Sequence, residues 1–172
     1  AYMAEIIVIA HNIRSTHNIG SIFRTSEGFG VKKIIISGYS PYPKSLGDSR
    51  LPHIANKLTS QIHKTALGAE VLVPFEQFSE PPIQELKAQG YHVIGLEQSP
   101  KSILLQEYTV PDQKIALLLG EEVEGIPLEL IDKCDTLLEI PMAGKKESFN
   151  VSVATGIALY ALSLGNYRAP TA

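Results

Sequence analysis

The chain has no tryptophan and one cysteine, Cys134, among its 172 residues. A single thiol cannot close an internal disulfide. That excludes a disulfide-stapled scaffold and fits a reducing compartment such as the cytosol. Cys134 itself reads as a buried, inert side chain. Long apolar runs are missing too, so no membrane-spanning helix is expected. The opening "AYMAEIIVIAHNIRS" lacks a basic segment followed by a long apolar one, and residues 6–10 read as a strand, not as a secretory signal. Positive charge is not in excess: 15 Lys plus Arg against 18 Asp plus Glu leave −3 at pH 7. Nucleic-acid binders often carry a basic excess, so any such contact here is confined to local patches. There is no internal repeat, low-complexity tract or linker-like run, and the length implies one domain over residues 1–172.

What is present is an alternation of strand-like and helix-like stretches. Short apolar, β-branched runs predict strands over residues 5–10, 31–37, 70–75, 91–97, 114–120 and 136–142. Helical spacing predicts helices over 16–30, with Asn18 as N-cap, and over 60–69, 81–90, 126–134 and 148–164. Residues 38–56, with three prolines, read as a long loop, a length that usually marks function or mobility. The final "GNYRAPTA" reads as a frayed tail. Strands separated by short helices imply a mostly parallel α/β sheet covered on both faces.

Ligands of such sheets bind outside the carboxyl ends of the strands, and three strand ends carry unusual residues. After the first strand, Asn18, Gly20 and Arg24 lie in the N-terminal part of a helix, a plausible phosphate or ribose site. An ordinary capped helix with a surface arginine accounts for the same residues. "IALLLGEEVEGIPLEL" ends a buried strand at Gly120 and turns through Glu121, Glu122 and Glu124. Three carboxylates repel phosphate but tolerate a cation or a ribose hydroxyl; a solvated acidic turn is the plainer alternative. "EIPMAGKKESFNVSVATGIALYAL" runs from a strand through a lysine-bearing loop into an apolar helix. The apolar strand end Leu138, Ile140 and Met142 suits an adenine-like ring. Ser148 reads as the cap of the last helix, which leaves Asn150 and Ser152 unexplained in an otherwise apolar helix.

In this order and spacing, the three segments resemble the SpoU family of RNA ribose 2′-O-methyltransferases, within the SPOUT (α/β-knot) superfamily. The first resembles the family's Asn-Gly-Arg motif (Asn18, Gly20, Arg24). The second resembles Gly-x-Glu-x-x-Gly (Gly120, Glu122, Gly125). The third resembles Ile-Pro-Met…Ser-Leu-Asn-Val-Ser, with Phe149 in place of the usual leucine. "HKTALGAEVLVP" resembles the family's mid-domain stretch, so the likeness spans essentially the whole chain.

The resemblance implies an α/β domain with a deep C-terminal trefoil knot formed from about residue 115 onward, an exception to the rule against threaded chains. It implies S-adenosylmethionine as cofactor, no metal, tRNA or rRNA as substrate, a homodimer and a cytoplasmic location, without the separate N-terminal RNA-binding domain of many relatives. By motif position, Leu119, Gly120, Ile140, Met142 and Phe149 would hold the cofactor. Arg24, Asn18, Glu122, Ser148 and Asn150 would surround the ribose. A guanidinium stays protonated in proteins, so Arg24 is expected to stabilise the developing alkoxide and not to act as a base. His11 and His17 read as loop residues beside the first motif. Lys44, Arg50, Lys57, Lys64 and the Lys145–Lys146 pair are candidate phosphate contacts, whereas Lys32 and Lys33 read as a solvated face. A SPOUT enzyme that methylates a base, or a non-catalytic knotted RNA-binding protein, is the alternative. A dinucleotide-binding fold lacks the expected Gly-x-Gly-x-x-Gly after the first strand.

Overall fold

The computed structural model describes residues 4–110 and 114–163; the sequence positions read above as a frayed tail lie outside them. A seven-stranded sheet forms the centre, in the order β3-β2-β1-β6-β4-β7-β5, and every pairing is parallel. The strands are β1 (Ile6–His11), β2 (Lys33–Ser37), β3 (Phe75–Phe78), β4 (Tyr91–Leu96), β5 (Ile103–Leu104), β6 (Lys114–Leu119) and β7 (Thr136–Glu139). The helices are α1 (Thr16–Gly28), α2 (Pro52–Ala66), α3 (Ala69–Leu72), α4 (Ile83–Ala88), α5 (Leu128–Ile131) and α6 (Val151–Ser163), with a 3-10 turn at Leu105–Glu107. No helix among the described residues is long and apolar enough to cross a membrane.

Burial follows from the two-residue period of a strand. On one face of the sheet Ile6, Val8, Ala10, Ile34, Ile36, Leu117 and Leu119 pack with Ile19, Ile22 and Phe23 of α1, Ile62 of α2 and Leu159 of α6. On the other face Ile7, Ile9, Ile35, Val93 and Leu118 pack with Ile83 and Leu86 of α4 and Leu130 of α5. β1 is buried along its whole length, which explains its unbroken apolar run. Each such isoleucine contributes about 1.5–3 kcal/mol by leaving water.

Several boundaries differ from the sequence reading. Ser15, not Asn18, caps α1: its hydroxyl accepts the backbone N–H of Asn18. The supposed long loop ends early, because Pro52 starts α2 at a position where a missing N–H costs nothing. The run "EVLVPF" splits into α3 and the start of β3. Pro74 takes part in no N–H ladder but its carbonyl accepts from Ile34, so pairing with β2 begins after it. The short edge strand β5 was not visible as an apolar run, since only Ile103 and Leu104 pair, against Leu138 and Glu139. Asn150, not Ser148, caps α6: its Oδ1 accepts the N–H of Ser152 at 2.9 Å and of Val153 at 3.4 Å.

Gly20 does not face a ligand. It faces α2, where a Cβ would lie 2.1 Å from Thr65 Oγ1 and 2.3 Å from the Ile62 carbonyl oxygen. Cys134 is partly buried and donates to the Leu130 carbonyl; burial pushes its thiol up to about 11, as an inert side chain requires.

Gly20→Ala is expected to lower stability by about 1–3 kcal/mol through overpacking. Gly28→Ala, with no atom near the added methyl, is expected to be neutral or to raise stability by a few tenths of a kcal/mol. Urea melts of the two variants check the contrast. His11 closes β1 with 4% exposure, and burial lowers its pKa from 6.5. The unfolded chain therefore takes up that proton first as pH falls below 6.5, and stability drops with it, by at most about 1.4 kcal/mol per pH unit. A shallower slope between pH 7 and 5 for His11→Gln, in melts across that range, is the expected result.

Candidate active site

Parallel pairing sends the carboxyl ends of β1, β6, β4 and β7 to one edge of the sheet. A cleft of about 220 Å³ opens there. Its apolar wall comes from Leu96, Leu119, Ile140, Phe149 and Val151, and its rim from Glu97, Glu121, Glu122, Glu124, Glu139 and Glu147. Backbone at Gly120 and Gly125 closes the turn between them. A Cβ on Gly120 would sit 2.5 Å from the Ile126 amide nitrogen, so only glycine lets this turn fold back onto the end of β6.

The acidic turn is held from within. Glu121 Oε2 accepts the N–H of Val123 at 3.0 Å and also that of Glu124. Glu97, at the end of β4, accepts the N–H of Ile126 at 2.6 Å. Glu97 and its neighbours Leu96 and Gln98 form a fourth strand end that the sequence reading missed. The available signal was "VIGLE", a buried strand ending in a carboxylate.

Beside the cleft, three segments far apart in sequence meet in one hydrogen-bonded chain. Asn18 Nδ2 donates to Glu122 Oε1 at 3.2 Å, and Asn18 Oδ1 accepts from Asn150 Nδ2 at 3.2 Å. Glu122 Oε2 accepts the backbone N–H of Arg14 at 3.4 Å. Since Ser15 takes the capping role on α1, the Asn18 side chain is free to make this bridge. Asn150 both caps α6 and reaches Asn18, which accounts for a polar residue at the start of an apolar helix.

Of the expected cofactor contacts, Leu119, Gly120, Ile140 and Phe149 line the cleft, with Ser148 and Glu122. Met142 is not among the lining residues. Arg24 is exposed on α1 and has no hydrogen-bond or ion-pair partner among the described residues. Six residues beyond Asn18, it lies about 120° from it around the helix and is not among the residues that line the cleft. His11 is not a loop residue: it ends β1, buried, with Nδ1 2.9 Å from Ser37 Oγ. His17 stands exposed in the first turn of α1.

The basic residues divide. Lys32 and Lys33 pair with Glu5 and Glu76 at 3.1 and 3.0 Å, as a solvated face would. Arg50 is occupied internally. It binds Asp48 and the carbonyls of Tyr42 and Pro43, lies 3.6 Å from the Tyr42 ring centroid, and holds the Asp48 carboxyl well below the usual range. Lys57, Lys64, Lys145 and Lys146 are exposed. Among the described residues, no group of three or more His, Cys, Asp or Glu side chains is arranged to hold a metal ion.

Comparison with known proteins places this arrangement. Residues 5–160 match the model of the SpoU rRNA Methylase family. The tRNA (guanosine(18)-2'-O)-methyltransferase of Aquifex aeolicus is 32% identical over 158 residues, covering 91% of this chain and 67% of that protein. The 23S rRNA (guanosine-2'-O-)-methyltransferase of Coxiella burnetii is 31% identical over 157 residues, covering 90% of this chain and 56% of that protein. The chain thus spans about half the length of curated relatives such as this one. The crystal structure of an AdoMet-bound rRNA methyltransferase from Sinorhizobium meliloti shares the fold, with a TM-score of 0.77 at 22% identity over 95% of this chain and 57% of that one. With most of its length, including all three strand-end motifs, inside the family match, the chain belongs to the SpoU rRNA methylase family.

Proposed function

We propose that this chain transfers a methyl group from S-adenosylmethionine to a ribose 2′-hydroxyl of tRNA or rRNA. The observation that carries this reading is the Glu122–Asn18–Asn150 chain, which joins three separated motifs at the lip of an apolar, acid-rimmed cleft. The named 2′-O-methyltransferases among the relatives support it.

The cleft suits the cofactor on chemical grounds. Leu119, Ile140 and Phe149 offer apolar contact for an adenine ring, and Gly120 leaves backbone exposed for hydrogen bonds to its edge. The carboxylates at the rim favour a ligand carrying a sulfonium and an ammonium group. When bound, the cofactor supplies an activated methyl, so the new C–O bond forms as the C–S bond breaks and S-adenosylhomocysteine is left. The protein's task is alignment, which can contribute on the order of 7–11 kcal/mol of barrier reduction.

Asn18 and Asn150 orient the ribose, and Ser148 borders the cleft beside them. Both Glu122 oxygens already accept hydrogen bonds, which makes Glu122 a positioning group. The hydroxyl proton leaves to water or to a phosphate oxygen. Lys145 and Lys146, in the loop before Ser148, contact the RNA backbone.

Arg24 acts on the site of a second copy, stabilising the developing alkoxide there. Its exposure supports this, as does its place next to Thr25, which packs at Gly156 of α6. Val153, Ile157 and Tyr160 form an exposed apolar stripe on α6 at helical spacing, with exposures of 51%, 37% and 58%. A homodimer covers that stripe and brings Arg24 to the partner's cleft. A threaded C-terminal segment, the trefoil knot, accompanies this assembly. The strand order supports it: β6 lies between β1 and β4 although it follows both β4 and β5 in the chain, and α6 then returns to pack on α1. A cytoplasmic location goes with this reading, in keeping with bacterial RNA methyltransferases among the relatives.

Arg24→Lys is expected to keep RNA affinity within about threefold and to lose most of the turnover, because a point charge does not replace the guanidinium fork. Single-turnover methylation with labelled cofactor checks this, and near-normal turnover would refute the assignment. Tyr160→Asp is expected to give a monomer by sedimentation and to abolish activity. Mixing it with Arg24→Ala, which carries an intact stripe, is expected to restore little, since Tyr160→Asp blocks the shared face. An inactive but dimeric Tyr160→Asp protein would remove the stripe from the interface.

A further inference from the structure

A second depression lies on the same sheet edge, at the carboxyl ends of β1 and β2. At about 690 Å³ it is larger than the cleft, and Arg14, Tyr39, Tyr42, Gln61 and Gln77 are among its walls. Nothing in the methyl-transfer step above uses it. We propose that this recess receives the base of the nucleotide whose ribose is methylated, stacked on Tyr39 and read by Arg14 as a guanine. The inference rests on the methyltransferase reading and adds the substrate base to it.

Position comes first. The strand order β2-β1-β6-β4 puts the recess and the cleft side by side. The nearest strands of the two, β1 and β6, are direct neighbours in the sheet, about 5 Å apart, so a base held in the recess can carry its ribose towards the cleft. Between them runs the polar chain, and Arg14 belongs to both sides: its backbone N–H binds Glu122 while its side chain enters the recess.

The walls are prepared for an aromatic ligand. Tyr39 is 53% exposed, yet its loop is pinned. Its N–H donates to Asn12 Oδ1 at 3.1 Å. Asn12 takes φ 55, a left-handed conformation that asparagine tolerates better than most residues. Gly38, at φ 65, lies so close that a Cβ would be 1.9 Å from the same Asn12 oxygen. An exposed aromatic ring on a rigid loop provides a stacking surface at little entropic cost. Tyr42 is the less open ring: Arg50 packs on it at 3.6 Å from the centroid, whereas Arg14 stands 5.7 Å from that of Tyr39.

Arg14 is exposed, forms no ion pair among the described residues, and holds its guanidinium 5.7 Å from the Tyr39 ring centroid. A planar fork of donors matches O6 and N7 of guanine, whereas adenine presents a donor at the corresponding position. A phosphate contact alone would need neither the ring nor the two glutamine amides.

The test is methylation of a short RNA that the wild-type protein modifies, made with guanine, hypoxanthine or adenine at the target position. Tyr39→Ala is expected to lower kcat/KM about tenfold or more while the Kd for S-adenosylmethionine, by calorimetry, stays put. Tyr39→Phe should recover most of the loss. Arg14→Ala should bring the guanine and hypoxanthine substrates down towards the adenine one. Unchanged kcat/KM in Tyr39→Ala would overturn the proposal. So would an Arg14→Ala protein that weakens all three RNAs alike and has a shallower salt dependence, the mark of a phosphate contact. Should the wild-type protein transfer no methyl to any RNA, the parent reading fails separately. Anisotropy binding of the same RNAs to wild-type and Tyr39→Ala proteins then decides the recess alone, a loss in the variant supporting it and equal affinity sinking it.

Discussion

The site depends on one side chain, Asn18, placed to donate to Glu122 and accept from Asn150. Those two bonds join α1, the turn after β6 and the cap of α6. Each belongs to a different sheet connection. The bridge is possible because Ser15 has already satisfied the start of α1, so the amide of Asn18 has no capping duty. Exposed amide hydrogen bonds are individually weak, about 1 kcal/mol each. Their effect here is geometric, because the sheet beneath them is rigid and fully buried along β1.

Electrostatics divide the edge into two halves. The cleft at β6, β4 and β7 is rimmed by glutamates, and the recess at β1 and β2 carries Arg14. A polyanion is steered away from the first half and towards the second and the lysine pair at 145–146. A net charge of −3 is therefore unevenly spread, with one half of this edge open to a polyanion and the other suited to a cation. The same logic separates the arginines. Arg50 is tied down by Asp48 and two carbonyls and shapes a loop; Arg14 stands exposed beside the Tyr39 ring, and Arg24 is exposed with no hydrogen-bond or ion-pair partner among the described residues.

Much of this was legible in the residues. The buried parallel strands show as unbroken β-branched runs, because a strand covered on both faces has no polar side to alternate. The segments around Asn18, Glu122 and Asn150 stand out because polar or glycine-rich residues interrupt apolar strand and helix ends. Boundaries were less legible. "EVLVPF" has strand composition but begins as a helical turn, since Ala69 and Glu70 are buried against neighbouring helices and override propensity. β5 has only two pairing residues, too few for any periodicity.

The sequence by itself determined the parallel α/β class, the three motif-bearing strand ends and the membership they imply, because each is a local pattern of residue types. Only the tertiary structure decided that Ser15 and Asn150 are the caps and that Gly20 serves helix packing. It alone left Arg24 out of the cleft lining and brought Glu97 to the rim. These depend on which segments become neighbours once the crossovers are made, and a contact between residues a hundred positions apart leaves no mark in either one's surroundings along the chain.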